Sequence, residues 1–146
     1  MKYYEKIIVA LELNQDEDLQ LIKRAQELSD PEHGKIYLVH AVEPLNSYGT
    51  GYAFPMIDNA EMDISTEHRT EIIAETKKLG IPTDNLIIQI GAPNKVIIAQ
   101  ANQLQADLII VGSHTRHGLA FFMSNNSAEL VLHKAPCDML AVHLPR

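Results

Sequence analysis

Cysteine, cationic charge and long apolar runs are all scarce in this chain, and each scarcity excludes something. A single cysteine, Cys137, rules out an internal disulfide and fits a reducing compartment. It lies in APCDML at the mouth of an apolar strand, where a small buried residue is the plain expectation and a reactive thiol the sharper one. Lys and Arg number 12 against 19 Asp and Glu, a formal net charge of -7 that repels a nucleic-acid backbone, so no nucleic-acid partner is expected. No apolar run approaches bilayer length, and MKYYEKIIVALEL reaches acidic residues too early for a signal peptide. The expectation is a cytoplasmic protein without a membrane partner. Familiar phosphate and hydrolase motifs are missing too. GxxxxGK[ST] occurs nowhere, Gly49 and Gly51 lack the third glycine of GxGxxG, and there is no GxSxG elbow. No internal repeat, low-complexity tract or linker interrupts the chain.

What is present is an alternation of strand and helix patterns over 146 residues, a length suited to one compact domain. Apolar, β-branched runs at 6–11 (KIIVAL), 35–41 (KIYLVHA), 85–90 (NLIIQI), 107–112 (DLIIVG) and 138–144 (DMLAVHL) predict five strands covered on both faces. Between the first two, Asn14 with Glu17 reads as a helix start, and Leu19, Leu21, Ile22, Ala25 and Leu28 recur at helical spacing. A second helix is predicted with Ile57, Ala60, Ile64, Ile72 and Leu79 near one face, stopped by Gly80 and Pro82; His68 lies on that stripe as a packed side chain. The third opens with Pro93 in its first turn and turns Val96, Ile97, Ala101 and Leu104 inward. A last helix is expected over SAELVLHKA. The segment 43–58, with two prolines and two glycines, has no period and reads as a long loop. Right-handed crossovers then give an α/β fold, an open five-stranded parallel sheet with helices on both faces. Such sheets bind ligands beyond the carboxyl ends of their strands, where Glu12 and the loop starting at Gly112 lie.

That loop, GSHTRHGLAFFMSNNS, carries hydroxyls, amides, Arg116 and His117, and so could present donors to an anion at the start of the following helix. The competing reading is a solvated polar loop closing the fourth strand. Phe121, Phe122 and Met123 read as a plug over the sheet. His114 and His117 are three apart, yet zinc needs three or four ligands and only His133 and Cys137 offer themselves, so no metal is expected. Ser113 beside His114 is adjacency in sequence rather than a catalytic pair, and no enzyme activity is expected.

The element order together with IIVALEL, LVHAVEP, GAPNKVIIAQA, DLIIVGSHTRHG and HKAPCDMLAVHL resembles the universal stress protein family from end to end. The resemblance implies a sheet of strand order 3-2-1-4-5, a homodimer, and a role in surviving starvation and other stress without a settled catalytic activity. One branch of the family binds ATP through a glycine, two residues, a glycine, nine residues, then glycine and serine or threonine. On this chain those positions fall on Gly112, Thr115, Asn125 and Asn126, so only the first is kept. Glu12 stands at the acidic position that contacts the nucleoside. With Ala41 and Arg116 these residues make up a degraded nucleotide site. A β-branched residue at Thr115 costs about 1 to 2 kcal/mol if the turn needs a left-handed backbone. Each loss of about 1.4 kcal/mol weakens binding tenfold, so two or three such defects remove about two decades of affinity. The polar loop with FFMSNNS resembles the A-type branch, which implies no bound cofactor, with ATP or AMP as the alternative. The last strand, Met139 to Leu144, is too apolar for an exposed sheet edge and is expected to pair with a second copy.

Overall fold

The computed structural model describes residues 3–12, 15–42, 70–113 and 135–144. In these, five parallel strands form one sheet: β1 (Lys6–Ala10), β2 (Lys35–Val42), β3 (Leu86–Ile90), β4 (Leu108–Ser113) and β5 (Asp138–His143). Their spatial order is β3-β2-β1-β4-β5, so the first strand is central and the third and fifth are edges. Helix α1 (Gln15–Leu28) joins β1 to β2, helix α2 is described over 70–78, and α3 (Pro93–Leu104) joins β3 to β4. A short 3-10 turn, Thr83–Asn85, leads into β3, where the sequence pattern placed Asn85 already in the strand.

The period of two along each strand sorts side chains between two cores. Ile7, Val9, Leu108, Ile110 and Val142 face α1 and α2, packing against Leu21, Ile22, Ala25 and Ile72. Ile8, Val39, Ile109 and Val111 face the other way, onto Val96, Ile97 and Ala101 of α3. Burying such a side chain fully is worth about 1.5 to 3 kcal/mol, and β1 supplies three with no exposed surface, which explains why so apolar a strand takes the middle. The expected two-sided burial fails at the edges. In β3, Gln89 and Ile90 are exposed, Ile90 to 63%, and in β5 Asp138, Ala141 and His143 are exposed. An edge strand has a neighbour on one side only among the described residues.

Helix ends follow local chemistry. Pro93 sits in the first turn of α3, where its missing N–H costs nothing. Helix α3 ends at Gln105, a non-glycine with φ 56°, whose N–H donates to the carbonyls of Ala101 and Asn102. Gly80, with φ 78°, terminates α2, and the N–H of Ile81 returns to the carbonyl of Thr76 at 3.0 Å. The inward stripe of α3 also takes in Gln100, which is buried and was not expected there, because 100 lies three and four positions from Ile97 and Val96. The amino ends of the strands are tied by Asp107, whose two carboxylate oxygens accept the N–H groups of Glu5 and Lys6 at 3.0 and 2.8 Å. Nearby, the Tyr4 hydroxyl donates to Asp138 at 2.8 Å, and that bond raises the phenol's pKa above its ordinary value. Expectations for the loop 43–58, for Ile57, Ala60, Ile64 and His68, and for the last helix lie outside the described residues.

Candidate functional site

The carboxyl ends of β2, β1 and β4 lie side by side, and the register decides what meets there. Ala10 pairs with Val39 and Val9 with Ile110. Leu11 and Glu12 follow directly on the end of β1, while Ala41 and Gly112 belong to the last residues of β2 and β4. The Leu11 N–H still donates to the Val39 carbonyl at 2.8 Å, so the pairing outlasts the strand by one residue. Three of the residues singled out from sequence, Glu12, Ala41 and Gly112, therefore lie at the same, carboxyl end of the sheet.

Glu12 is exposed, and its N–H donates to Asp18 Oδ1 at 3.1 Å. That contact ties Glu12 to the first turn of α1, which also carries Asp16 and Glu17. The carboxylates suit the positive end of the helix dipole, but together with Glu12 they oppose an incoming polyphosphate. Ala41 is half-buried opposite Gln89 and packs on the α3 face of the sheet. His40 is a contributor that the sequence reading missed. Its Nδ1 lies 2.9 Å from the carbonyl oxygen of Leu11; since a carbonyl can only accept, that nitrogen carries the proton. The motif LVHAVEP contained it, but nothing in its spacing told which way the ring would turn.

Gly112 is buried in β4 opposite Val142. A Cβ there would stand 2.6 Å from Leu144 Cδ1 and 3.7 Å from Leu21 Cδ1. The Leu144 N–H donates to the Ser113 carbonyl at 2.9 Å, so the C-terminal strand is locked to β4 just where the polar loop begins. The one glycine kept from the ATP-type pattern thus has a packing role that needs no ligand. Thr115, Arg116, Asn125 and Asn126, with His114, His117 and His133, lie outside the described residues.

At the opposite end of the sheet Cys137 is half-buried. Burial, helped by the carboxylates of Asp107 and Asp138, pushes its thiol up to about 11, the reverse of an activated nucleophile. Among the described residues no group of three or more His, Cys, Asp or Glu is placed to hold a metal ion, and no helix is long and apolar enough to cross a membrane.

The family model described as "Universal stress protein family" matches residues 3–143. The chain belongs to the universal stress protein family. Among relatives of this universal stress protein, "Universal stress protein A homolog 2" of Coxiella burnetii is 39% identical over 144 residues, covering 99% of this chain and 98% of its own. The solved universal stress protein UspA of Lactobacillus plantarum superposes with a TM-score of 0.71 at 19% identity, over 97% of this chain and 99% of that one. A universal stress protein solved in complex with cAMP superposes with a TM-score of 0.51 at 19% identity, over 97% of this chain and 98% of that one. At such identities the structural matches speak for the shared fold, the five-stranded parallel sheet in the order 3-2-1-4-5.

Proposed function

We propose that this universal stress protein is a non-catalytic, cytoplasmic, dimeric stress-response factor of the A-type branch that binds adenine nucleotides weakly or not at all. The observation that carries the reading is the state of Gly112. The place that a phosphate-binding turn would keep bare is packed by Leu144 and Leu21. A glycine fixed by packing is no evidence for a ligand, and the remaining signature positions hold Thr115, Asn125 and Asn126. The carboxylates of Glu12, Asp16, Glu17 and Asp18 at the same end of the sheet add an electrostatic cost for ATP. The likeness to the Coxiella A homologue supports the choice of branch.

The dimer forms through β5, residues Met139 to Leu144. Among the described residues β5 pairs only with β4, which leaves its outer edge for a second copy in this reading. Antiparallel pairing of two such edges satisfies their backbone groups in a two-fold interface.

A second reading, an adenine-nucleotide-binding switch using Glu12, Ala41, Gly112, Arg116, Asn125 and Asn126, draws support from the relative solved with cAMP. Calorimetric titration with ATP, AMP and cAMP separates the two. Dissociation constants above about 0.1 mM fit the first reading; micromolar binding of any of the three establishes the second. Thr115→Gly strengthens binding if the cradle is only degraded.

A further inference from the structure

The outer edge of β5 carries a definite pattern of backbone donors and acceptors. Leu144 donates its N–H to the Ser113 carbonyl at 2.9 Å, and Ser113 is level with His143. Along a strand, the N–H and C=O groups of successive residues point alternately to one side and the other. Counting back from Leu144, Val142 and Leu140 direct theirs at β4. Met139, Ala141 and His143 turn theirs outward, where no partner meets them among the described residues. The side chains alternate as well. Leu140, Val142 and Leu144 pack on the face covered by α1 and α2 and Met139 on the face covered by α3, which places Ala141 and His143 on the α3 side too. Given the dimer through β5 proposed above, the geometry points to a single register for it: antiparallel pairing about a two-fold axis at Ala141, with Met139 of each chain opposite His143 of the second copy.

A two-fold axis normal to the sheet sets one residue against its own copy, and that choice fixes every other pair. With Ala141 on the axis, all the outward residues exchange hydrogen bonds: Ala141 with its copy, and Met139 with His143 of the second copy in both directions. The edge cannot slide without loss. With Leu140 on the axis instead, His143 falls opposite Cys137, which precedes the strand. With Val142 on the axis, Met139 falls opposite Pro145, which has no N–H to give. The side chains favour the same register. Ala141, the smallest of them, takes the position where two identical side chains meet. Leu140 stands opposite Val142 of the second copy, apolar on apolar, and the Met139 thioether stands beside an imidazole ring, a favourable contact for sulfur. Ala141 and His143 are exposed in the single chain and Met139 is half-buried, so the pairing covers surface that β4 does not. Met139 and His143 lie about 13 Å apart along one strand, too far to touch within a chain, so a contact between them reports the second copy.

The test exchanges charges across the pair and reads the dimer by sedimentation equilibrium of the full chain. Met139→Lys and His143→Glu are each expected to weaken it about three- to tenfold, and together to restore the dissociation constant to within about threefold of the parent, because each lysine then meets a glutamate of the second copy. That recovery is expected to fade in high salt. Failure of a folded double variant to recover overturns the register. On the unmodified protein, a sample mixed from isotope-labelled and unlabelled chains is expected to show a nuclear Overhauser contact between the Met139 methyl group of one copy and the His143 ring of the other; its absence in a confirmed dimer also overturns the register. The dimer reading fails separately. A parent chain that sediments as a monomer, or a dimer that Ala141→Lys leaves unshifted, removes β5 as the interface and the register with it, whereas a β5 dimer with neither recovery nor contact removes the register alone.

Discussion

Gly112 illustrates how one residue can carry two incompatible explanations. In the ATP-type pattern it is the first glycine of a phosphate turn; in this chain a Cβ at that point would meet Leu144 at 2.6 Å. The packing explanation is tested by stability alone. Gly112→Ala is expected to lower the unfolding free energy by about 1 to 3 kcal/mol through overpacking, measured by urea denaturation. Combined with Leu144→Ala, the loss is expected to fall short of the sum of the single losses, because the second change removes the atom the first collides with. Strict additivity would show that the two side chains do not meet. Cys137 supports a second residue-level expectation. With its thiol pushed up to about 11, the thiolate is scarce at pH 8, so a disulfide reagent reacts at least tenfold more slowly with the native chain than with the urea-unfolded one. Similar rates would mark the thiol as open and activated.

At the scale of elements, the helix ends are where local rules and tertiary demands part company. Pro93 obeys the rule for a first turn, and its place was readable from the sequence. Gln105 does not: it holds φ 56° at the end of α3, a conformation that suits glycine, so that Ala106 can bond back to Ala101 at 3.0 Å and the chain can enter β4. Gln105→Gly is therefore expected to stabilise the protein by about 0.5 to 1 kcal/mol, visible as a raised midpoint in thermal denaturation. A lowered midpoint would mean that the Gln105 side chain contributes more than its backbone costs. The edge strands show the same tension. The run LIIQI reads as buried on both faces, yet only a strand with two neighbours and helices above and below can be so, and among the described residues β3 has one neighbour.

For the whole molecule, the main consequence of the strand order is that β5, apolar and last, lies at an edge. In the dimer reading, a lysine on this edge faces its own copy across the two-fold axis. Ala141→Lys, at a position exposed in the single chain, is expected to weaken the dimer at least tenfold while leaving the fold intact. Sedimentation at micromolar concentration should then show a monomer where the parent chain is dimeric. An unshifted mass would remove β5 as the interface. The net charge of -7 works in the same direction at longer range, keeping separate molecules apart unless an apolar surface draws them together.

The strand positions, the helix at Pro93 and the family itself were legible in the chain, because periodicity, turn chemistry and motifs are local; the strand order came only with the family resemblance. The candidate site was legible only in part. Glu12, Ala41 and Gly112 could be named from motif spacing, but their meeting at one end of the sheet depends on the register of β1 against β2 and β4, which pairs residues about 30 and 100 positions apart. His40 against Leu11, Asp18 against Glu12 and Leu144 against Gly112 are contacts of that kind. Local pattern determines which face a side chain takes, whereas only the assembled sheet decides what stands opposite it.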